Sequence, residues 1–203
     1  MGQRHQLFVI AKVNGKYRSL AVVHHQWLYG YTALRQCRKI LEIFSNPNNA
    51  TALSNELKYA AINQVLWDGV PDYQDCKPRF PFITTCLMLG ASFSPEDSYF
   101  HQVSPEPFNL DFDAGDNNNG ITIIDISDPN DIRYCFVDFF GMESNTEVQL
   151  MTPLTGRIYL EAYYDPQELE NELMAQIMED LDGWKIVTVE ALEDTWPDSG
   201  WEV

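Results

Sequence analysis

The sequence predicts an α+β domain in which a mainly antiparallel sheet, built from hairpins, packs against about three helices. Three observations carry that reading. Two apolar, β-branched runs flank an Asn-Gly pair near the N-terminus, helical apolar stripes follow them, and a capped amphipathic segment stands near the C-terminus. At 203 residues the chain fits one domain, residues 1–203. Its 45% hydrophobic content, with 11 Phe, 10 Tyr and 5 Trp, suffices to close a core without covalent staples.

Residues 7–13 and 16–23 are strands joined by Asn14-Gly15, a pair that takes positive φ at both central positions of a type I′ turn. Counting outward from that turn sets His5 opposite His24. Thr32 caps a helix over about 33–44, with Leu34, Cys37, Leu41 and Phe44 on its buried stripe. Arg35, Arg38 and Lys39 lie mostly off the stripe. A second helix covers about 52–67, with Leu53, Leu57, Ala60, Ala61 and Leu66 on one face and Gly69 just beyond.

Six prolines then interrupt residues 69–108, which read as an irregular excursion around one apolar run, 82–89, either strand or short helix. Residues 121–126 and 132–140 form a second hairpin across Ser127-Asp128-Pro129-Asn130-Asp131, and 156–164 is a further strand candidate. Asp165 with Pro166 starts a helix whose buried face is Leu169, Leu173, Ile177 and Leu181, ended by Gly183. A short strand at 185–189 precedes an acidic tail, about 190–203, whose Trp196 and Trp201 either dock or stay free.

The formal net charge is −17, unevenly spread: residues 1–44 carry +6, 45–157 carry −11 and 158–203 carry −12. That balance disfavours direct binding to a nucleic-acid backbone, which depends on clustered Lys and Arg. It allows the basic and acidic regions to attract each other, within one chain or between copies, and it also favours solubility. No run approaches the ~18 apolar residues of a membrane span, and Gln6 breaks the myristoylation pattern at Gly2, so no membrane partner is expected. Cys37, Cys76, Cys86 and Cys135 form no CxxC pair and follow no secretory signal; they read as reduced thiols of a cytoplasmic protein.

His24-His25-Gln26-Trp27 is the most unusual tetrapeptide. Adjacent strand residues point to opposite faces, so one histidine at most looks into any single pocket. As a general base it needs a carboxylate to orient it, and Asp68, Asp125 and Asp138 are the candidates. His5 beside His24 makes half a metal site with no visible third ligand, so neither metal nor cofactor is expected. Asp111-Phe112-Asp113 and Asp116-Asn117-Asn118-Asn119-Gly120 fail the spacing of a calcium loop and read as a polar turn. GxSxG, GxGxxG and GxxxxGK[ST] are all missing from the sequence.

The start Met1-Gly2-Gln3-Arg4-His5-Gln6, combined with His24-His25-Gln26-Trp27-Leu28-Tyr29-Gly30 and Thr32-Ala33, resembles a family of uncharacterised hypothetical proteins, mainly of ascomycete fungi and more weakly of bacteria and phages. The resemblance spans about the first 35 residues. It implies an intracellular fungal source and brings no residue roles. The expected function is therefore a non-catalytic interaction or self-assembly protein, with Arg35, Arg38 and Lys39 as the contact residues. The alternatives are a histidine/carboxylate-dependent enzyme, hydrolytic in type, drawing on His5, His24 or His25, and an acidic decoy of nucleic acid.

Overall fold

The computed structural model describes residues 4–63, 67, 77–92, 103–112, 120–137, 152–197 and 199. At its centre is a six-stranded sheet of β1 (Arg4–Val13), β2 (Lys16–Gln26), β3 (Val103–Glu106), β4 (Ile121–Asp125), β5 (Arg133–Val137) and β6 (Lys185–Ile186). Their spatial order is β3-β2-β1-β4-β5-β6. The β1–β2, β2–β3 and β4–β5 pairs are antiparallel, whereas β1–β4 and β5–β6 are parallel, so the α+β sheet is mostly but not wholly antiparallel. The helices are α1 (Gly30–Phe44), α2 (Ala50–Ile62), α3 (Pro81–Ala91), α4 (Gly156–Glu161), α5 (Pro166–Leu169), α6 (Glu172–Asp182) and α7 (Val189–Thr195).

The first hairpin forms as its turn chemistry dictates, with Asn14 at φ 52° and Gly15 at φ 85°. Its register differs from the expected one. Ile10 pairs with Ser19 but Val9 pairs with Ala21, leaving Leu20 as an extra residue in β2. This bulge turns both Leu20 and Ala21 into one core and shifts every later pair, so His5 faces His25 rather than His24.

Both sheet faces are covered. Leu7, Val9, Val23, Ile124, Tyr134 and Phe136 point into the larger core, which is closed by helices on that side. Phe8, Ile10, Val22, Ile123 and Val137 point into a smaller core with Phe112, Leu192 and Trp196. The acidic C-terminal stretch docks here: α7 packs on β2, and the Trp196 ring lies 5.1 Å from Phe8 and 5.3 Å from Phe112.

Several elements depart from the sequence expectation. α1 starts at Gly30, three residues early: its N-cap position is Tyr29, without a side-chain bond, rather than Thr32, and the Tyr164 hydroxyl accepts the Tyr31 N–H at 3.3 Å. α2 ends at Ile62, while Leu66 and Gly69 lie outside the described residues. The run at 82–89 is helical, within α3, with Pro81 in the first turn. Residues 156–164 are not a strand. Thr155 accepts the Ile158 N–H as an N-cap, and Gly156, Tyr159 and Leu160 bury one helical face. The helix begun by Asp165 is split: the capping box formed by Asp165 and Glu168 holds α5, and Asn171 recaps α6 through the Leu173 N–H. Positions 138–140 of the expected second-hairpin strand lie outside the described residues.

Candidate functional site

The three candidate histidines part company. His5 is fully buried, with Nε2 2.7 Å from the Thr122 hydroxyl and its ring edge-on to Tyr159 at 6.2 Å. His25 is also fully buried. Its Nδ1 sits 2.7 Å from the Gln26 carbonyl oxygen and its Nε2 3.1 Å from that of Ala91, which ties the end of β2 to the end of α3. Both ring nitrogens of His25 thus face backbone carbonyl oxygens inside the fold rather than an open pocket. The turn that follows is strained, since Trp27 holds φ 68° with 55% of its surface exposed.

His24 is the histidine left partly open, on the opposite side of β2. Its Nε2 is 3.5 Å from Gln26 Oε1, a marginal contact. Across the ladder it pairs with Ser104, and two residues along β3 lies Glu106 opposite Val22. His24, Ser104 and Glu106 therefore share one face of an edge pair. Burial holds the Glu106 carboxyl above the ordinary range, and the nearby His24 charge opposes that rise. Sequence reasoning missed Ser104 and Glu106 because Val103-Ser104-Pro105-Glu106-Pro107 reads as loop. The available signal was its alternation, with prolines an edge strand tolerates.

Of the carboxylates considered for orienting a histidine, Asp68 and Asp138 lie outside the described residues. Asp125 belongs elsewhere. It pairs with Arg133 and Ile10, and accepts both the Ser127 hydroxyl at 2.5 Å and the Ser127 N–H at 2.9 Å. Burial raises its carboxyl above the usual range, while the Ser127 bonds and Arg133 counter the rise. Ser127 in turn accepts the Lys12 N–H at 2.7 Å, so this cluster pins the end of β4 to β1. Among the described residues no group of three His, Cys, Asp or Glu is placed to hold a metal ion. Of the calcium-like run, Asp113 and Asp116 to Asn119 lie outside the described residues.

Arg35, Arg38 and Lys39 come together. With Glu42 and Ile177 they line a hollow of about 220 Å³ between α1 and α6. Arg38 bridges two acids, Glu42 at 3.0 Å and Asp180 at 2.5 Å, and Lys39 reaches Glu42 at 3.3 Å. The Arg35 guanidinium lies over the Tyr31 ring, 5.7 Å from its centre. The basic helix and the acidic C-terminal half thus meet within one chain, through Arg38 and Asp180.

These features define an α+β protein with a polar edge-strand face and a basic hollow beside an acidic helix. Comparison with protein-family models, curated proteins and solved structures gives no match. No helix among the described residues is long and apolar enough to cross a membrane.

Proposed function

We propose that this is a non-catalytic, self-associating cytoplasmic protein, in which the basic face of α1 meets the acidic surface of the C-terminal half of a second copy. The observation that carries the reading is the gathering of Arg35, Arg38 and Lys39 around one hollow floored by Ile177. Charge complementarity names the occupant, because residues 158–203 carry −12 against +6 for residues 1–44. Screening sets the test: such contacts act over ~8–10 Å at physiological salt and weaken as salt rises. Sedimentation across a salt series should find a dimer at low salt that dissociates at high salt. The triple change Arg35→Glu, Arg38→Glu, Lys39→Glu should be monomeric throughout. A wild type that is monomeric at every salt concentration removes this reading.

A second reading rests on the His24, Ser104 and Glu106 face. In it the protein is a hydrolase with Ser104 as nucleophile, His24 as general base and Glu106 as the group that orients the ring. No hydrogen bond joins the three residues, which ranks it below the first. A fluorophosphonate probe that labels the wild type but not Ser104→Ala or His24→Asn supports it, and an unlabelled wild type sinks it.

A further inference from the structure

A second hollow, of about 180 Å³, lies where β2, the turn before β4 and α7 meet, and it shares no residue with the one on α1. It is smaller than the ~300–1,000 Å³ of pockets for drug-sized ligands, yet far larger than the ~10–15 Å³ one water needs. A small metabolite is the scale it suits. Ser19, Arg18, Trp67, Asp111 and Trp196 are among its walls.

The walls are fixed by their own bonds. The Trp67 indole N–H donates to the Ser19 carbonyl at 3.3 Å, and the Trp196 indole N–H donates to the Leu110 carbonyl at 3.4 Å. The Arg18 guanidinium is laid over the Trp67 ring at 5.6 Å, which restrains a flexible side chain before any ligand arrives. Two charged groups are left with unused capacity. Arg18 and Asp111 carry opposite charges on the same hollow, yet neither forms an ion pair among the described residues, with each other or with a third group.

We propose that this hollow binds a small zwitterion of amino-acid size. Its carboxylate meets Arg18 and its ammonium meets Asp111. A simple anion would face Asp111 and a simple cation would face Arg18, so each lone charge meets repulsion that a zwitterion escapes. A purely apolar ligand would leave both charges desolvated.

Calorimetric titration of the full chain with the common L-amino acids, one at a time at millimolar concentration, tests this. At least one should bind once per chain. Its methyl ester, which lacks the carboxylate, and its N-acetyl derivative, which lacks the ammonium, should each bind at least about tenfold more weakly. Arg18→Met, which keeps the stem over Trp67, and Asp111→Asn should weaken the parent compound to a similar degree. Circular dichroism confirms that the variants fold, and should one fail to fold, the ester and N-acetyl pair still decides. The proposal is overturned if no amino acid binds, if either derivative binds as well as the parent, or if both folded variants keep wild-type affinity.

Discussion

The Glu56 carboxylate of α2 accepts the backbone N–H groups of Phe82 and Ile83, one at each oxygen, both at 2.8 Å. These are two of the N–H groups a helix start leaves without partners, and α3 has no side-chain cap of its own at Phe80. A charge from a neighbouring helix therefore closes α3, and it also sits favourably at the positive end of the helix dipole.

Glu56→Ala should accordingly cost about 1–3 kcal/mol, the range for stranding buried polar groups and losing a cap. Glu56→Gln keeps an acceptor and should cost less. Urea unfolding of the three proteins checks the order, and equal midpoints would show that α3 does not depend on this carboxylate.

Gly90 makes α3 and α1 approach at backbone distance. A Cβ built there would lie 2.4 Å from Ile40 Cγ1 and 3.1 Å from Ile40 Cα, so the helices would have to separate. Gly90→Ala should destabilise by about 1–3 kcal/mol through overpacking. Gly183→Ala is the control, because nothing lies within 4 Å of a Cβ there. With φ −73°, Gly183 is compatible with alanine, and the change should be neutral or stabilise by about 0.4–1 kcal/mol. Thermal unfolding of both variants measures the contrast.

Local chemistry was legible in the sequence wherever one signal acted alone. Asn14-Gly15 fixed its turn, Leu34, Cys37, Leu41 and Phe44 announced α1, and Asp165-Pro166 announced a helix start. What escaped came from competition between signals or from distance in sequence. The Leu20 bulge follows from the packing of both Leu20 and Ala21 into one core, which no turn rule foresees, and it moved His5 from His24 to His25. Residues 156–164 are β-branched and aromatic enough to pass for a strand, but the Thr155 cap and the burial of Tyr159 with Leu160 favour a helix. Of the candidate contact residues, Arg35, Arg38 and Lys39 could be placed on one helix from sequence. The partner of Arg38, Asp180, could not, being 142 residues away along the chain.

Cys37, Cys86 and Cys135 are free, buried thiols. Burial raises all three, and it is followed by the neighbouring Cys135 for Cys37, by Glu56 for Cys86 and by Asp125 for Cys135. Cys86 is pushed up to about 11. Only the thiolate attacks an alkylating reagent, so at neutral pH these groups stay protonated and inert. In a Cys76→Ser background, iodoacetamide should leave the native protein unmodified at pH 7.5 and label three thiols after denaturation. Labelling of Cys86 should rise only as the pH climbs toward 11. Rapid labelling of the native protein at neutral pH would contradict the burial of these thiols.

Gln36 is buried on α1, 1% exposed, and neither its amide oxygen nor its amide nitrogen has a hydrogen-bond partner among the described residues. Its neighbours on that face, Ala33, Cys37 and Ile40, are buried and apolar. Folding therefore strips water from an amide without replacing its bonds, at a cost of about 1–3 kcal/mol. Gln36→Met keeps nearly the same length and flexibility while removing both polar atoms, so it should stabilise the protein by about 1 kcal/mol or more. Gln36→Ala removes the same polar atoms but leaves a void, and the lost packing offsets the gain. Urea unfolding should place the midpoint of Gln36→Met above the wild type, with the denaturant slope unchanged and Gln36→Ala below Gln36→Met. A Gln36→Met midpoint below the wild type would mean that the amide makes hydrogen bonds in solution, through an enclosed water bridging it to the backbone.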